Sequence, residues 1–429
     1  MITVPVQTSL RSAAAAAAGP DAVMEPHPDV DEIDGVLPAV VVRPSSAEGV
    51  AATLAWVARD TLRTVISGGG TKRAWGRRPE RVDVLLRMDA LNRVMQLAAD
   101  DLTVTVEAGA TLASVNAALS AHGQWLPLDP PFSDRTTIGG LLATNDSGPH
   151  RHRHGTPRDL VIRSRIATAD GRLSKSGGQV VKNVAGYDVS KLLCGSFGTL
   201  AAYVSATFKV VPRADTSRTV VVTCATGAIA GQFLRELMAS QLEPAAVELA
   251  VRASHGPRHP EIRLLVRFAS ITAAVDAQID AVLALAAASA ATSELTTTDA
   301  EPTMWADHHE SIWTGGQSVV RLSWLPADLT NALDVIARLG ESCELVWIGR
   351  AALGAGLLSI NGHPSVQEAI VKRLRSTPAF AHVAIARAPA EVKAHIDVWG
   401  PLGDRTALLA ALKQQFDPAA ILNAGRGPI

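Results

Sequence analysis

Two stretches of the chain run through the same order of elements. Residues 219–285 read strand (TVVVTC), helix (AGQFLRELMAS), strand (AAVELAV), strand (IRLLVRF) and helix (ITAAVDAQIDAVLAL). Residues 318–386 repeat that order with SVVRLS, DLTNALDVIARL, CELVWI, GLLSI and PSVQEAIVKRL, and close on FAHVAIA. Apolar alternation marks the strands, and apolar residues three or four apart mark the helices. Two strand–helix–strand–strand–helix units in succession predict a ferredoxin-like α+β domain. Between them, 286–317 is rich in Ala, Ser and Thr and then bears His and Trp, so it is expected to loop over one face.

The preceding part also mixes strands and helices, in a different texture. AVVVRP reads as a buried strand ended by Pro44. SSAEGVAATLAWVARD follows as a helix, with Ser45 and Glu48 as a capping box and Val50, Leu54 and Val57 on one face. LRTVI is a short strand running into SGGGTKRAWG (67–76), and TLASVNAALSAHG is a second helix. Residues 125–212, full of Gly and Asp turns between short strands, look like a site-bearing lobe. The expected division is a flexible N-terminal extension (1–35), an α+β domain (36–213), the ferredoxin-like domain (214–400) and a returning C-terminal segment (401–429).

Composition excludes several classes of function. The net charge is −1, which leaves no electrostatic footprint for nucleic acid or an anionic membrane. No apolar run approaches the ~20 residues that span a bilayer. The start, MITVPVQTSLRSAAAAAAGP, lacks the basic and Leu-rich regions of a signal peptide. Three widely spaced cysteines argue against a disulfide framework and fit a reducing cytoplasm.

Three glycines behind a strand let a ligand's diphosphate approach the backbone without meeting a Cβ. The spacing fits neither the Rossmann fingerprint nor a P-loop, and a tight turn explains the tract equally well taken alone. Other stretches join it. TTIGGLLATNDSG (136–148) sets Gly139 and Gly140 at the start of a short helix, whose N-terminus can accept an anion. GTPRDLV (155–161), KNVAGYDVSKLLCGSFGTL (182–200) and FDPAAILNAGR (416–426) complete the series.

This ordered set resembles the FAD-binding domain of the vanillyl-alcohol oxidase/p-cresol methylhydroxylase (PCMH) superfamily. VVKNVAGYD and FDPAAILNAGR are its most specific parts, and within the superfamily the likeness is to E subunits of bacterial glycolate oxidase (glycolate dehydrogenase). The resemblance implies a two-lobed PCMH-type FAD-binding domain followed by a ferredoxin-like domain of the FAD-linked oxidase C-terminal kind. It gives Ser67, Gly68, Gly69, Gly70, Thr71 and Lys72 to the FAD diphosphate. Thr137, Gly139, Gly140, Asn145, Ser147 and Gly148 would face the diphosphate and flavin, with Asp159 and Val161 near the adenosine end. Asn423 and Arg426 would reach the isoalloxazine edge. Many relatives link a histidine just after the glycines to the flavin; Thr71 stands there and cannot, so the FAD is expected to be non-covalent. Where the family has Gly–Ile–Ile after GTL, this chain has Ala201, Ala202 and Tyr203.

The resemblance implies oxidation of a small 2-hydroxy acid, glycolate or D-lactate. Its partners would be a D-type catalytic flavin subunit and an iron–sulfur subunit that passes electrons to a quinone, in the cytoplasm or peripherally at the inner membrane. Such chemistry needs a hydride acceptor, a base for the hydroxyl proton and a cation for the carboxylate. Related D-lactate dehydrogenases and D subunits carry a His-rich GDGN segment that binds a metal near the substrate, and no GDGN occurs here. The remaining candidates are Arg321, as a carboxylate partner or a solvent-facing strand residue, and His395. His308, His309 and His363 read more plainly as surface residues. HRHRH (150–154) invites a metal, but Arg151 and Arg153 oppose one, so no metal site is expected. Trp305, Trp313, Trp324 and Trp347 read either as a docking surface or as core. A self-sufficient FAD-dependent oxidoreductase and a structural subunit without flavin are the alternative readings.

Overall fold

The computed structural model describes residues 4–178, 187–254 and 260–429. Most of VVKNVAGYD (180–188) lies outside the described residues. The chain divides into two compact units, one formed by 1–147, 154–213 and 401–429, the other by 148–153 and 214–400.

The first unit opens with β1 (Val23–Met24), β2 (Val40–Val42), β3 (Thr64–Ser67) and β4 (Val84–Arg87), in the sheet order β1-β2-β4-β3. β2, β4 and β3 run parallel, and the uninterrupted VVV of β2 is buried throughout, as expected for a strand covered on both faces. Next come β5 (Val94–Ala98), β6 (Thr103–Glu107), β7 (Gln124–Trp125), β8 (Val161–Thr168), β9 (Leu173–Gly177), β10 (Ala201–Lys209) and β11 (Val211–Pro212). Five of these make an antiparallel sheet in the order β5-β6-β10-β8-β9, and β7 pairs with β11 alone.

Two expectations need correction here. Residues 4–35 are not a loose extension: Val4–Ala18 is a helix whose Ala14 is fully buried. Leu10, Ala13 and Ala17 pack against the cluster that holds Val50 and Leu54, β1 pairs with β2, and Ile33 is fully buried. Alanine is the strongest helix former, and its small side chain lets a helix approach its neighbour closely. The helix Ala47–Arg59 is capped by Ser46 rather than Ser45. The Ser46 hydroxyl accepts from Gly49 N at 3.1 Å, and Glu48 instead pairs with Arg165 at 3.0 Å.

The second unit contains β12 (Thr216–Cys224), β13 (Ala246–Ala253), β14 (Glu261–Ser270), β15 (Thr292–Leu295), β16 (Ser318–Ser323), β17 (Leu345–Arg350), β18 (Ala355–Ile360) and β19 (His382–Arg387). They form one antiparallel sheet in the order β15-β12-β14-β13-β17-β18-β16-β19. Within each half the first strand lies between the fourth and third, so the repeat seen in sequence is two complete ferredoxin-like units. They join edge to edge where β13 pairs with β17.

The helices Gly227–Ala239, Thr272–Ala288, Leu329–Gly340 and Pro364–Arg375 share one core with one sheet face. Trp347 is fully buried in it, with its ring centroid 4.7 Å from that of Trp324. Trp305 and Trp313 are buried too, so the four tryptophans are core and not an exposed docking surface. Nor is 286–317 a simple loop. It supplies edge strand β15 and the helix Glu301–Glu310, whose Trp305 packs on Val221, Ala246 and Leu265 of the opposite sheet face.

Ala14→Glu places a carboxylate in a fully buried methyl site and is expected to destabilise the first unit by ~2 kcal/mol or more, read by thermal unfolding. A loose extension would leave the transition unmoved.

Candidate functional site

The first unit holds a cleft open to solvent, walled by residues 65–73, by Thr136, Thr137, Gly139 and Gly140, by 197–203 in part, and by Asn423 and Arg426. β3 delivers the glycine loop to it, and the adjacent strand β4 leads to Met88, which also lines it.

The glycines answer first to the protein's own backbone. A Cβ on Gly69 would stand 1.7 Å from the Arg135 carbonyl oxygen, and one on Gly68 would stand 1.9 Å from Thr137 Oγ1. These two positions are glycine because the 135–137 segment crosses the loop. Gly70 has a φ of +75°, where L side chains are strained. Gly140 is different: its missing Cβ would meet only Thr137 Oγ1, at 3.2 Å. The helix Ile138–Thr144 does not offer the open N-terminus that the sequence suggested. Its Ile138 and Gly139 N–H groups donate to the Ala110 and Ala108 carbonyls at 2.9 and 2.7 Å.

Positive charge at the cleft comes from Lys72 and Arg73. Lys72 Nζ lies 3.3 Å from Asp146, both side chains being nearly buried. Arg73 Nε donates to Ser67 Oγ at 3.3 Å, and burial lowers its pKa against the pull of Asp31 and Asp89. Thr71 also lines the cleft, with its hydroxyl 3.4 Å from that of Thr136. Arg73 and Thr136 are lining residues that the sequence reading missed, though each adjoins a residue it named.

The terminal segment forms the remaining wall. Asp417 is buried, accepts from Ile421 N and Leu422 N at 3.2 and 2.8 Å, and pairs with Lys413 Nζ at 2.6 Å. Burial pushes the Lys413 pKa down, and Asp417 opposes that. The turn so formed lays Leu422 beside Thr64 in a parallel bridge. Asn423, with a φ of 44°, accepts from Ile66 N at 3.1 Å and donates to the Phe197 carbonyl. Arg426 donates to the carbonyls of Arg73 and Trp75, and burial lowers its pKa to about 10. Both residues line the cleft, and their polar groups hold the glycine loop and the 197–198 turn in place.

Five expected residues do not line the cleft. Asn145 ends the helix Ile138–Thr144 in a left-handed conformation and accepts from Arg158 N at 3.2 Å. Asp159 caps its own short helix through Thr156 N and Oγ1 at 2.8 and 2.7 Å. Val161 is a core residue of β8, Ser147 is buried outside the wall, and Gly148 belongs to the second unit. Ala201, Ala202 and Tyr203, noted as a departure from the family, do line the cleft. The Tyr203 hydroxyl is turned to the Ser190 carbonyl, and its pKa is raised by burial.

Lys72 and Arg73 bring positive charge to the cleft, and the small side chains of alanines 108, 143, 201 and 202 line it. Residues 38–177 match the family described as FAD binding domain. That match supports FAD as the cofactor.

Among curated proteins, the chain is similar to glycolate oxidase subunit GlcD of Bacillus subtilis (strain 168), 29% identical over 49% of this chain and 45% of that one. It is similar to subunit GlcE of Escherichia coli (strain K12), 42% identical over 26% of this chain and 33% of that one. Similarity to D-2-hydroxyglutarate dehydrogenase of Xanthomonas citri pv. viticola is 26% over 91% of this chain and 89% of that one. The chain thus spans less than half the length of the two glycolate oxidase subunits. An alkyldihydroxyacetonephosphate synthase structure shares the fold, with a TM-score of 0.73 and 16% identity over 98% of this chain and 85% of that one. The architecture is therefore α+β. No helix among the described residues is long and apolar enough to cross a membrane.

The second unit has polar groups of its own, though not the expected ones. Arg321 is half-buried on β16, on the sheet face away from the helix-covered core. His395 is exposed and pairs with Glu368 at 2.9 Å, and His363 caps the helix Pro364–Arg375. His308 and His309 lie on a helix, not in a loop; the His308 side chain is buried, and its Nε2 lies 3.1 Å from Glu248. Among the described residues no three His, Cys, Asp or Glu side chains gather as a metal site.

Two glycine substitutions differ in their expected effect. Gly69→Ala is expected to lower the melting temperature and FAD occupancy together, because the Arg135 carbonyl must move. Gly140→Ala is expected to keep the melting temperature, alanine being favoured over glycine in a helix by ~1 kcal/mol. Thermal unfolding with flavin quantification checks both.

Proposed function

We propose that this protein oxidises a small 2-hydroxy acid with FAD, as the E-type flavin subunit of a glycolate oxidase-like assembly. The observation that carries the reading is the joining of a match to the FAD binding domain family with similarity, over 91% of this chain, to a D-2-hydroxyglutarate dehydrogenase. Three other relatives act, by their names, on glycolate or D-lactate, which share the 2-hydroxy carboxylate group. When bound, FAD supplies the hydride acceptor. The chain's own contribution is to place Lys72 and Arg73 beside the diphosphate and to seal the loop with Arg426.

Two features favour the E-type assignment. Identity is higher to the E subunit than to the D subunit where each aligns, and the GDGN segment is missing. The partners are then a D-type flavin subunit and an iron–sulfur subunit that takes the electrons onward. FAD is held non-covalently, because Thr71 stands at the linking position and its hydroxyl is turned to Thr136.

Acid precipitation is expected to release the yellow flavin into the supernatant; colour retained by the pellet contradicts non-covalent binding. With an artificial dye and glycolate or D-lactate, the lone chain is expected to turn over negligibly. Co-expression with D-type and iron–sulfur subunits is expected to restore turnover. Dye reduction by the lone chain on the order of 1–10³ s⁻¹ would show a self-sufficient oxidoreductase instead.

A further inference from the structure

On the sheet face opposite the helices, the second unit carries a group of buried charged side chains that no assigned role uses. Glu248 of β13 stands directly across from Arg350 of β17, at the junction of the two repeats, and both side chains are nearly or wholly excluded from solvent. Glu248 Oε2 is engaged by His308 Nε2 at 3.1 Å. Its Oε1 accepts no hydrogen bond: Arg350 Nε, 3.5 Å away, directs its proton to the Gly148 carbonyl at 3.3 Å. Arg350 Nη2 is likewise buried without a hydrogen-bond partner, and so is His152 Nδ1 from the HRHRH segment. Burial lowers the His152 pKa against the pull of Glu248.

An unmatched polar group in a buried place costs free energy, and here three of different character are gathered. Arg350 Nη2 is a cationic donor with the geometry that suits a carboxylate. Glu248 Oε1 is an anionic acceptor, which suits a hydroxyl proton and repels a second carboxylate. His308 fixes the orientation of Glu248, and Trp305 stands edge-on to the His308 ring at 5.9 Å. A ligand that satisfies the set must present an anion and a donor on neighbouring atoms.

We propose that Arg350, Glu248, His308 and His152 form a binding site for a small carboxylate bearing an adjacent hydroxyl group. Arg350 Nη2 donates to the carboxylate, Glu248 Oε1 accepts from the hydroxyl, and His308 is a positioning residue that holds Glu248. The choice of ligand class rests on the 2-hydroxy-acid reading above; the site itself rests on the three unmatched groups. It supplies the carboxylate cation that the sequence reading sought at Arg321.

Calorimetric titration of the FAD-loaded chain with glycolate, D-lactate, propionate and D-lactamide tests it. The two hydroxy acids are expected to bind at least ~10-fold more tightly than propionate, which lacks the hydroxyl, and D-lactamide, which lacks the charge. Glu248→Gln is expected to lose the preference for D-lactate over propionate. Arg350→Lys keeps a cation opposite Glu248, and so preserves the fold, but lacks the second N–H arm. It is expected to weaken D-lactate by ~10-fold with unchanged FAD content. D-Lactate binding unaltered in both variants, or absent from the wild type, would overturn the site. Binding of the hydroxy acids through these residues, in an assembly whose flavin no 2-hydroxy acid reduces, would uphold the site and overturn the proposed function instead.

Discussion

The first unit depends on a buried guanidinium. Arg426 closes on the carbonyls of Arg73 and Trp75, two main-chain groups in the loop that walls the cleft. Three residues earlier, Asn423 satisfies Ile66 N on one side and the Phe197 carbonyl on the other. The end of the chain therefore decides where the glycine loop lies. Asp417 makes this possible by turning the chain through its bonds to Ile421 N and Leu422 N. A segment distant in sequence is thereby built into the wall of the cleft.

Opposite constraints govern the second unit. Its helix-covered face is a continuous apolar core around Trp347. The other face mixes Trp305 and Leu265 with Glu301, Glu248 and Arg350. Glu301 is fully occupied by the Thr219 and Ser217 hydroxyls, so it is a satisfied structural carboxylate. Glu248 is only half satisfied. That contrast between two buried glutamates on one face separates a fold-supporting group from a group arranged for a ligand.

Much of this was legible in the sequence, for physical reasons that differ by element. The two ferredoxin-like repeats show because alternation and 3.6-residue periodicity are local signals. The cleft shows because glycine tracts mark close backbone approach, although Gly68 and Gly69 turned out to make room for Arg135 and Thr137. The helix Val4–Ala18 was hidden because an alanine run reads equally as low complexity, and only packing on Leu54 and its neighbours decides. His308 was hidden inside a stretch whose composition resembles a loop. The Glu248–Arg350 pairing had no local signal at all: it exists only through the register of β13 on β17, which joins one repeat to the other.

The central claim is that a 2-hydroxy acid reduces FAD held in the first unit's cleft. Anaerobic addition of D-lactate or glycolate to the chain co-purified with its flavin and iron–sulfur partners, followed by visible absorbance and corrected for the partner's flavin with an assembly carrying the FAD-depleted Gly69→Ala chain, tests it most directly. The account predicts bleaching of the oxidised flavin bands by these acids and none by propionate. A flavin spectrum unchanged by any 2-hydroxy acid, in a preparation that a chemical reductant still bleaches fully, would contradict it.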